Sequence, residues 1–285
     1  MTEQPRLGVR VANLAASIAF YIDCIGFTLA EQQPEGTDVV CIIDSDGDPL
    51  LLAGPQVGDI TAYLAKNHYI LSAGETMGFQ GGDLNARRAT FLQRGIEDVK
   101  VVEMRWGDRA LNVKDPDGYI LSFYTPAERS PEESFALYTS GVDELEAALA
   151  GLSAADLDLA RAPGEWSIRA IVHHLADADI LFLPGMKMAL AESGSTYHPN
   201  WPGGNEVVAE SLDYAGRAIE PSVALFKAAH AYIVQLVEHV PGAWERYVQN
   251  PEGHKRTFSS FVNGVAAHVL EHVDEILEIR RVHGL

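Results

Sequence analysis

The sequence predicts two domains of different class, an α+β domain followed by an all-α one. Three observations carry this. Short β-rich runs, Arg6 to Val11, Val39 to Ile43 and Ile120 to Tyr124, lie in the first part, separated by turn signals at Asp46-Gly47 and Asp117-Gly118. Later in the chain apolar residues recur at helical spacing over long stretches and β-branched alternation disappears. Between the two regions, the stretch from Tyr124 to Ser134 carries two prolines and four charges, a linker composition. The boundary falls near residue 128, giving domains over 1–128 and 129–285, and 285 residues suffice for two cores when domains typically run to roughly 100–150.

In the first domain two helical segments interleave with the strands. In the second, Ser130-Pro131-Glu132-Glu133 opens a helix: a capping residue, a proline at the first turn, then acids facing the positive end of the helix dipole. That helix should reach about Leu152. A second begins near Ser167 and should kink or stop at Pro184-Gly185, because proline removes a backbone donor. A Pro- and Gly-rich loop follows over roughly 193–205. The third helix spans about 206–240, disturbed at Glu220-Pro221, and the fourth runs from near Thr257 to about Val282.

Composition narrows the function classes. Forty acidic against 21 basic side chains give a formal charge of -19, which repels phosphate backbones and anionic membrane surfaces, so neither nucleic acid nor membrane is an expected partner. The start Met-Thr-Glu-Gln-Pro-Arg has no basic segment leading into an apolar one, and no apolar run approaches the ~18 to 20 residues of a membrane span. A cytoplasmic location is expected. Cys24 and Cys41 are too few for a disulfide framework and sit in apolar runs typical of buried free thiols.

Nine of the ten histidines lie beyond residue 128, with only His68 before it, so an imidazole metal site belongs to the helical half. His268 and His272 stand at i and i+4, side by side on one helix face. On that helix Val265, Val269, Ile276 and Ile279 define the apolar side and Glu271, Asp274 and Glu278 the opposite one, with both histidines on the apolar flank. In the second helix Ile168, Ile171, Val172 and Leu175 form the apolar face. His174 is nearer to it than His173, which should point largely away, so His174 is the third candidate ligand.

Three neutral imidazoles suit Zn, Ni, Co or Fe and leave coordination positions open, the arrangement of a catalytic rather than a closed structural site. Glu275 and Asp177, one turn from His272 and His174, could accept the second imidazole N–H of each. The bland alternative is a pair of hydrogen-bonded core histidines, which the same spacing also serves. His198, His230, His239 and His254 lack a spaced partner and read as surface or packing residues, although His254 and His198, beside Trp201 and Pro202, could line the mouth of the site.

Trp166 opening the second helix, the segment His174-Leu175-Ala176-Asp177, the approach Asn250 to Thr257 and His268-x-x-x-His272 together resemble the DinB/YfiT-like superfamily over residues 132 to 285. The resemblance implies a four-helix bundle and a divalent metal, Zn or Ni foremost, held by three histidines from its second and fourth helices. It further implies activity as a metal-dependent hydrolase or as a transferase using a low-molecular-weight thiol.

Residues 6 to 126 resemble the glyoxalase/bleomycin-resistance, or vicinal oxygen chelate, superfamily. The residues that carry this are Arg6 to Tyr21 followed by Ile25-Gly26-Phe27, then Gly81-Gly82-Asp83-Leu84 leading into a helix that ends at Gly95, then Asp115-Pro116-Asp117-Gly118 before a closing strand. The resemblance implies paired βαβββ modules and a curved sheet forming a ligand cleft. Where that family places its metal ligands this chain has Arg6, about Thr76, and Ser122, so neither a metal nor glyoxalase chemistry is expected in this domain. Trp106, Arg109 and Tyr119 could contact a ligand in the cleft. Phe20 and Tyr21 read as packing residues.

The expected activity is therefore that of a metal-dependent enzyme acting on an electrophilic small molecule, detoxification-like, by small-thiol transfer or hydrolysis. The alternative is a non-catalytic protein that sequesters a small molecule in the N-terminal cleft, with the bundle as a dimerisation scaffold. A homodimer is implied by both resemblances.

Overall fold

A computed structural model describes residues 4–35, 38–66, 68–197, 205–250 and 253–285, and the chain divides between Ala127 and Glu128 into two compact units. The first unit contains β1 (Leu7–Arg10), α1 (Leu14–Ala19, continuing as one π-helical turn over Phe20–Ile25), β2 (Thr28–Leu29), β3 (Val39–Ile43), β4 (Pro49–Ala53) and β5 (Tyr69–Leu71). It continues with β6 (Thr76–Gln80), α2 (Leu84–Gln93), β7 (Lys100–Glu103), β8 (Arg109–Lys114) and β9 (Ile120–Thr125).

Two sheets result, in the orders β2-β3-β4-β1-β5 and β6-β9-β8-β7. Each repeats one plan. The opening strand lies parallel to the last strand of its module, β1 with β4 and β6 with β9, and the middle strands continue outward antiparallel. The crossover helices start at polar caps, Asn13 accepting from the Ala16 amide and Asp83 from those of Asn85 and Ala86.

The two modules share one core. Aromatic rings run through it from Tyr21 to Phe27 (5.8 Å between centroids), Phe79 (5.2 Å) and Phe123 (5.3 Å). Hydrogen bonds tie the modules where polar groups are buried: Tyr21 donates to Asp115 Oδ2 at 2.9 Å and Tyr119 to the Arg10 carbonyl at 2.9 Å. Tyr119 is thus a buried strut between strands.

The second unit holds α3 (Pro131–Leu149), α4 (Ile168–Ala191), α5 (Asn205–Ser211), α6 (Glu220–His239) and α7 (Phe258–His283), with a short ribbon of β10 (Tyr247–Gln249) and β11 (Lys255–Thr257). α3 begins with a full capping box: Ser130 accepts from the Glu133 amide and Glu133 accepts from the Ser130 amide. α3, α4, α6 and α7 form the four-helix bundle around Leu145, Ile171, Leu175, Phe226, Ile233, Val269 and Ile276. Burying each such side chain stabilises by about 1.5–3 kcal/mol. Gly141 lets α3 approach α7 closely, since a Cβ there would lie 3.0 Å from Val269 Cγ1.

Three expectations are corrected. Of the two outcomes expected at Pro184, a kink or a stop, the stop does not occur: α4 continues through it to Ala191. Pro184 lies on the exposed side, and the carbonyl of exposed Ile180, which loses its helical donor, can be hydrated. The third helix is two helices, and Glu220-Pro221 begins α6, where proline at the first turn loses no bond. Last, the helical half is not purely α: Tyr247, Val248 and Gln249 pair with Thr257, Arg256 and Lys255, making a strand of what reads as approach loop.

Candidate metal centre

Two helix starts set the site. Ser167 caps α4 by accepting from the Ala170 amide, and Thr257 caps α7 by accepting from that of Ser260. His174 then lies two turns into α4, with His268 and His272 on successive turns of α7. The three rings converge. Nε2 of His174 lies 3.1 Å from Nε2 of His268, the ring centroids are 4.7–5.1 Å apart, and one ligand atom from each residue falls within 4.8 Å of the others.

Burial keeps the His174 and His268 rings neutral. Desolvation, with His272 adding a smaller repulsion, pulls His174 down to about 3, and the same effects hold His268 well below the usual imidazole value. Neutral rings offer the lone pairs a metal requires. Nδ1 of His272 lies 2.9 Å from Glu275 Oε2, so the carboxylate accepts that N–H and Nε2 is left as the acceptor nitrogen. The expectation for Asp177 differs: it accepts from the Tyr214 hydroxyl at 2.5 Å, with no hydrogen bond to His174 among the described residues.

Trp166 forms one wall, its ring 4.8 Å from His174 and nearly parallel to His272 at 6.4 Å. Its indole N–H donates to Glu206 at 2.8 Å and so ties the start of α4 to α5. A cavity beside His174 is lined by Asp177, Leu181, Asn205, Val208 and Tyr214. Glu206 and Tyr214 are absent from the sequence reading, because nothing in the polar segment around them signals a contact across forty residues.

The remaining histidines separate cleanly. His173 does point away from the centre, yet it is buried, with Nδ1 2.7 Å from Ser222 Oγ and Nε2 3.3 Å from the Arg217 carbonyl. His230 is a packing residue, stacked 4.1 Å over Tyr138 and 3.0 Å from buried Asp179. His239 and His254 are exposed. His198, Trp201 and Pro202 lie outside the described residues.

In the first unit Arg6 precedes β1, whereas Thr76 and Ser122 stand on the neighbouring strands β6 and β9. Trp106 donates to Asp108 at 3.0 Å and Arg109 to Asn85 at 3.4 Å. Cys41 is buried, as expected, but Cys24 is only half-buried.

Paired βαβββ modules followed by a four-helix bundle with three converging histidines define a fusion of two known domain types. The chain belongs to the Glyoxalase/Bleomycin resistance protein/Dioxygenase superfamily, whose profile matches residues 4–179, and its residues 136–276 match the DinB superfamily. The first match runs past the structural division and into α3 and α4.

A protein of Geobacillus thermodenitrificans named "Putative metal-dependent hydrolase" is 29% identical over 180 residues, 60% of this chain and 97% of its own length. One named alike from Geobacillus kaustophilus is 28% identical over 147 residues, 50% of this chain and 79% of its own. The solved structure of YfiT from Bacillus subtilis, described as having "an unusual four-helix bundle topology", is 23% identical with a TM-score of 0.49, covering 56% of this chain and 94% of that one. Among the described residues no helix is long and apolar enough to cross a membrane.

Proposed function

We propose that this protein is a metal-dependent enzyme whose helical unit holds a divalent cation, Zn or Ni foremost, on His174, His268 and His272, and acts on an electrophilic small molecule with water or a low-molecular-weight thiol as nucleophile. One observation carries the reading: three imidazoles from two helices, those of His174 and His268 held neutral by burial, bring one ligand atom each to within 4.8 Å of one another. Such a donor set fits a borderline divalent metal and leaves positions open. The naming of relatives as metal-dependent hydrolases supports the same reading and favours water over a thiol.

When bound, the metal supplies a Lewis acid that makes coordinated water acidic or holds a thiol as thiolate. The chain's own residues do the rest. His174 and His268 are held unprotonated by burial, so no proton need leave them on loading at neutral pH. Glu275 orients the His272 ring by accepting its Nδ1–H. Trp166 shields one side of the centre from water.

The test is elemental mass spectrometry of untagged protein purified without chelator, beside His268→Ala. Near-stoichiometric metal in the wild type that is lost in the variant is the expected result. A wild type without metal, even after reconstitution, overturns the reading.

A further inference from the structure

Arg256 stands on β11 immediately before Thr257, the cap of α7. Its guanidinium lies 4.0 Å from the ring centroid of Phe261 on α7 and 5.4 Å from that of Phe182 on α4. A Cβ on Gly264 would sit 3.7 Å from its Nη2. The residue is half-buried and remains cationic, because a guanidinium is not deprotonated in proteins.

Its partners are what set it apart. Arg169 pairs with Asp158 and also donates to two carbonyls, Arg246 donates to the Leu190 carbonyl, and Arg280 to those of Ala148 and Ala150. Among the described residues neither a carboxylate nor a carbonyl accepts from the Arg256 side chain. In a chain with 40 acidic and 21 basic side chains, an arginine with no acid partner among the described residues runs against composition. Aromatic faces satisfy the plane of a guanidinium but not the N–H donors along its edge.

Position gives this cation a use. Phe261, Gly264 and His268 recur at i, i+3 and i+7 on one face of α7, and His174, Ala178 and Leu181 at i, i+4 and i+7 on one face of α4. Arg256 therefore stands along the same α4–α7 seam on which His174 meets His268. The helical rise puts it about 6 to 10 Å from His268 along α7, the span of a small molecule. Gly264, exposed on α7 between Phe261 and His268, adds no side chain to that seam.

We propose that Arg256 is a carboxylate-binding residue, and that the small molecule handled at the three-histidine centre carries a carboxylate about 6 to 10 Å from the group placed there. A planar carboxylate takes two parallel N–H bonds from the guanidinium edge while Phe261 and Phe182 fix its plane. The placement of the second group rests on the metal-centre reading; the carboxylate subsite does not.

Isothermal titration of the full chain with benzoate, with benzamide as the neutral isostere, tests this in chelator-treated and zinc-reconstituted protein. The expected result is benzoate binding by metal-free wild type with none of benzamide, at least tenfold weaker in Arg256→Met and less weakened in Arg256→Lys, with thermal melts matched across the three. Equal binding by wild type and Arg256→Met, no binding by the wild type in either form, or tighter binding of inorganic phosphate than of benzoate overturns the assignment. Arg256-dependent benzoate binding in a protein that takes up no zinc sustains the subsite and overturns the metal reading instead.

Discussion

Nδ1 of His272 and Oε2 of Glu275 lie 2.9 Å apart, one turn from each other on the same helix face. The contact fixes both the tautomer and the orientation of the ring, because the nitrogen that gives its proton to the carboxylate cannot be the one offered to a metal. It is made within α7 and depends on no other element.

Glu275→Ala should weaken metal binding about 10- to 100-fold, the usual cost of removing a group that orients a ligating histidine. Glu275→Gln, which keeps an acceptor oxygen, should lose less. Competition against a chromophoric chelator reads both, and an unchanged affinity in the alanine variant would show that the ring is held by packing alone.

Stability of the metal-free protein should fall with acid over a defined window. His174 is pulled from 6.5 to about 3 in the folded chain, so its contribution is fully present above 6.5 and is lost as pH falls from there toward 3, where the unfolded chain binds a proton that the folded chain refuses. Each unit of such a shift is worth about 1.4 kcal/mol, which makes the loss several kcal/mol at most. Urea midpoints between pH 7 and pH 4 should decline steeply in wild type and less in His174→Gln. Parallel curves would refute the assignment.

Asp179 and His230 are buried 3.0 Å apart in the bundle core, although neither ring nitrogen has a well-directed hydrogen bond. Burial pushes the Asp179 carboxyl up and His230 pulls it back. Asp179→Leu should cost about 1–3 kcal/mol by leaving the buried His230 imidazole without its acceptor, while adding His230→Phe to it should recover most of that. Denaturation of the two single variants and the double variant closes the cycle, and additive losses would mean that the pair is not coupled.

Trp166→Phe keeps the ring beside His174 but deletes the indole N–H that Glu206 accepts. Amide exchange in Asn205–Ser211 should quicken, with α7 unchanged and global stability lower by about 1 kcal/mol. Unaltered exchange in α5 would show that this helix is held by Val208 and its neighbours instead.

The parts of the site legible in the sequence are those written in helical periodicity. His268, His272 and the choice of His174 over His173 follow from which faces of two helices are apolar, and the structure brings those rings together. What escaped is what depends on distant chain. His173 is buried because Ser222 and the Arg217 carbonyl close over it, and Asp177 turns to Tyr214 rather than to a ring. Pro184 misleads because a helix breaker at a hydrated position need not break, and the β10–β11 ribbon is too short to leave a periodic signal.

That ribbon has a consequence for which changes of length the chain can tolerate. β11 passes directly into α7 at Thr257, so pairing with β10, the capping residue and both histidines of α7 lie on one uninterrupted stretch. One residue inserted after the cap would turn everything beyond it by about 100° and carry His268 and His272 off the face they share with His174. Insertions and deletions between Lys255 and His272 should therefore be eliminated wherever the triad is used, while substitutions there remain open to drift.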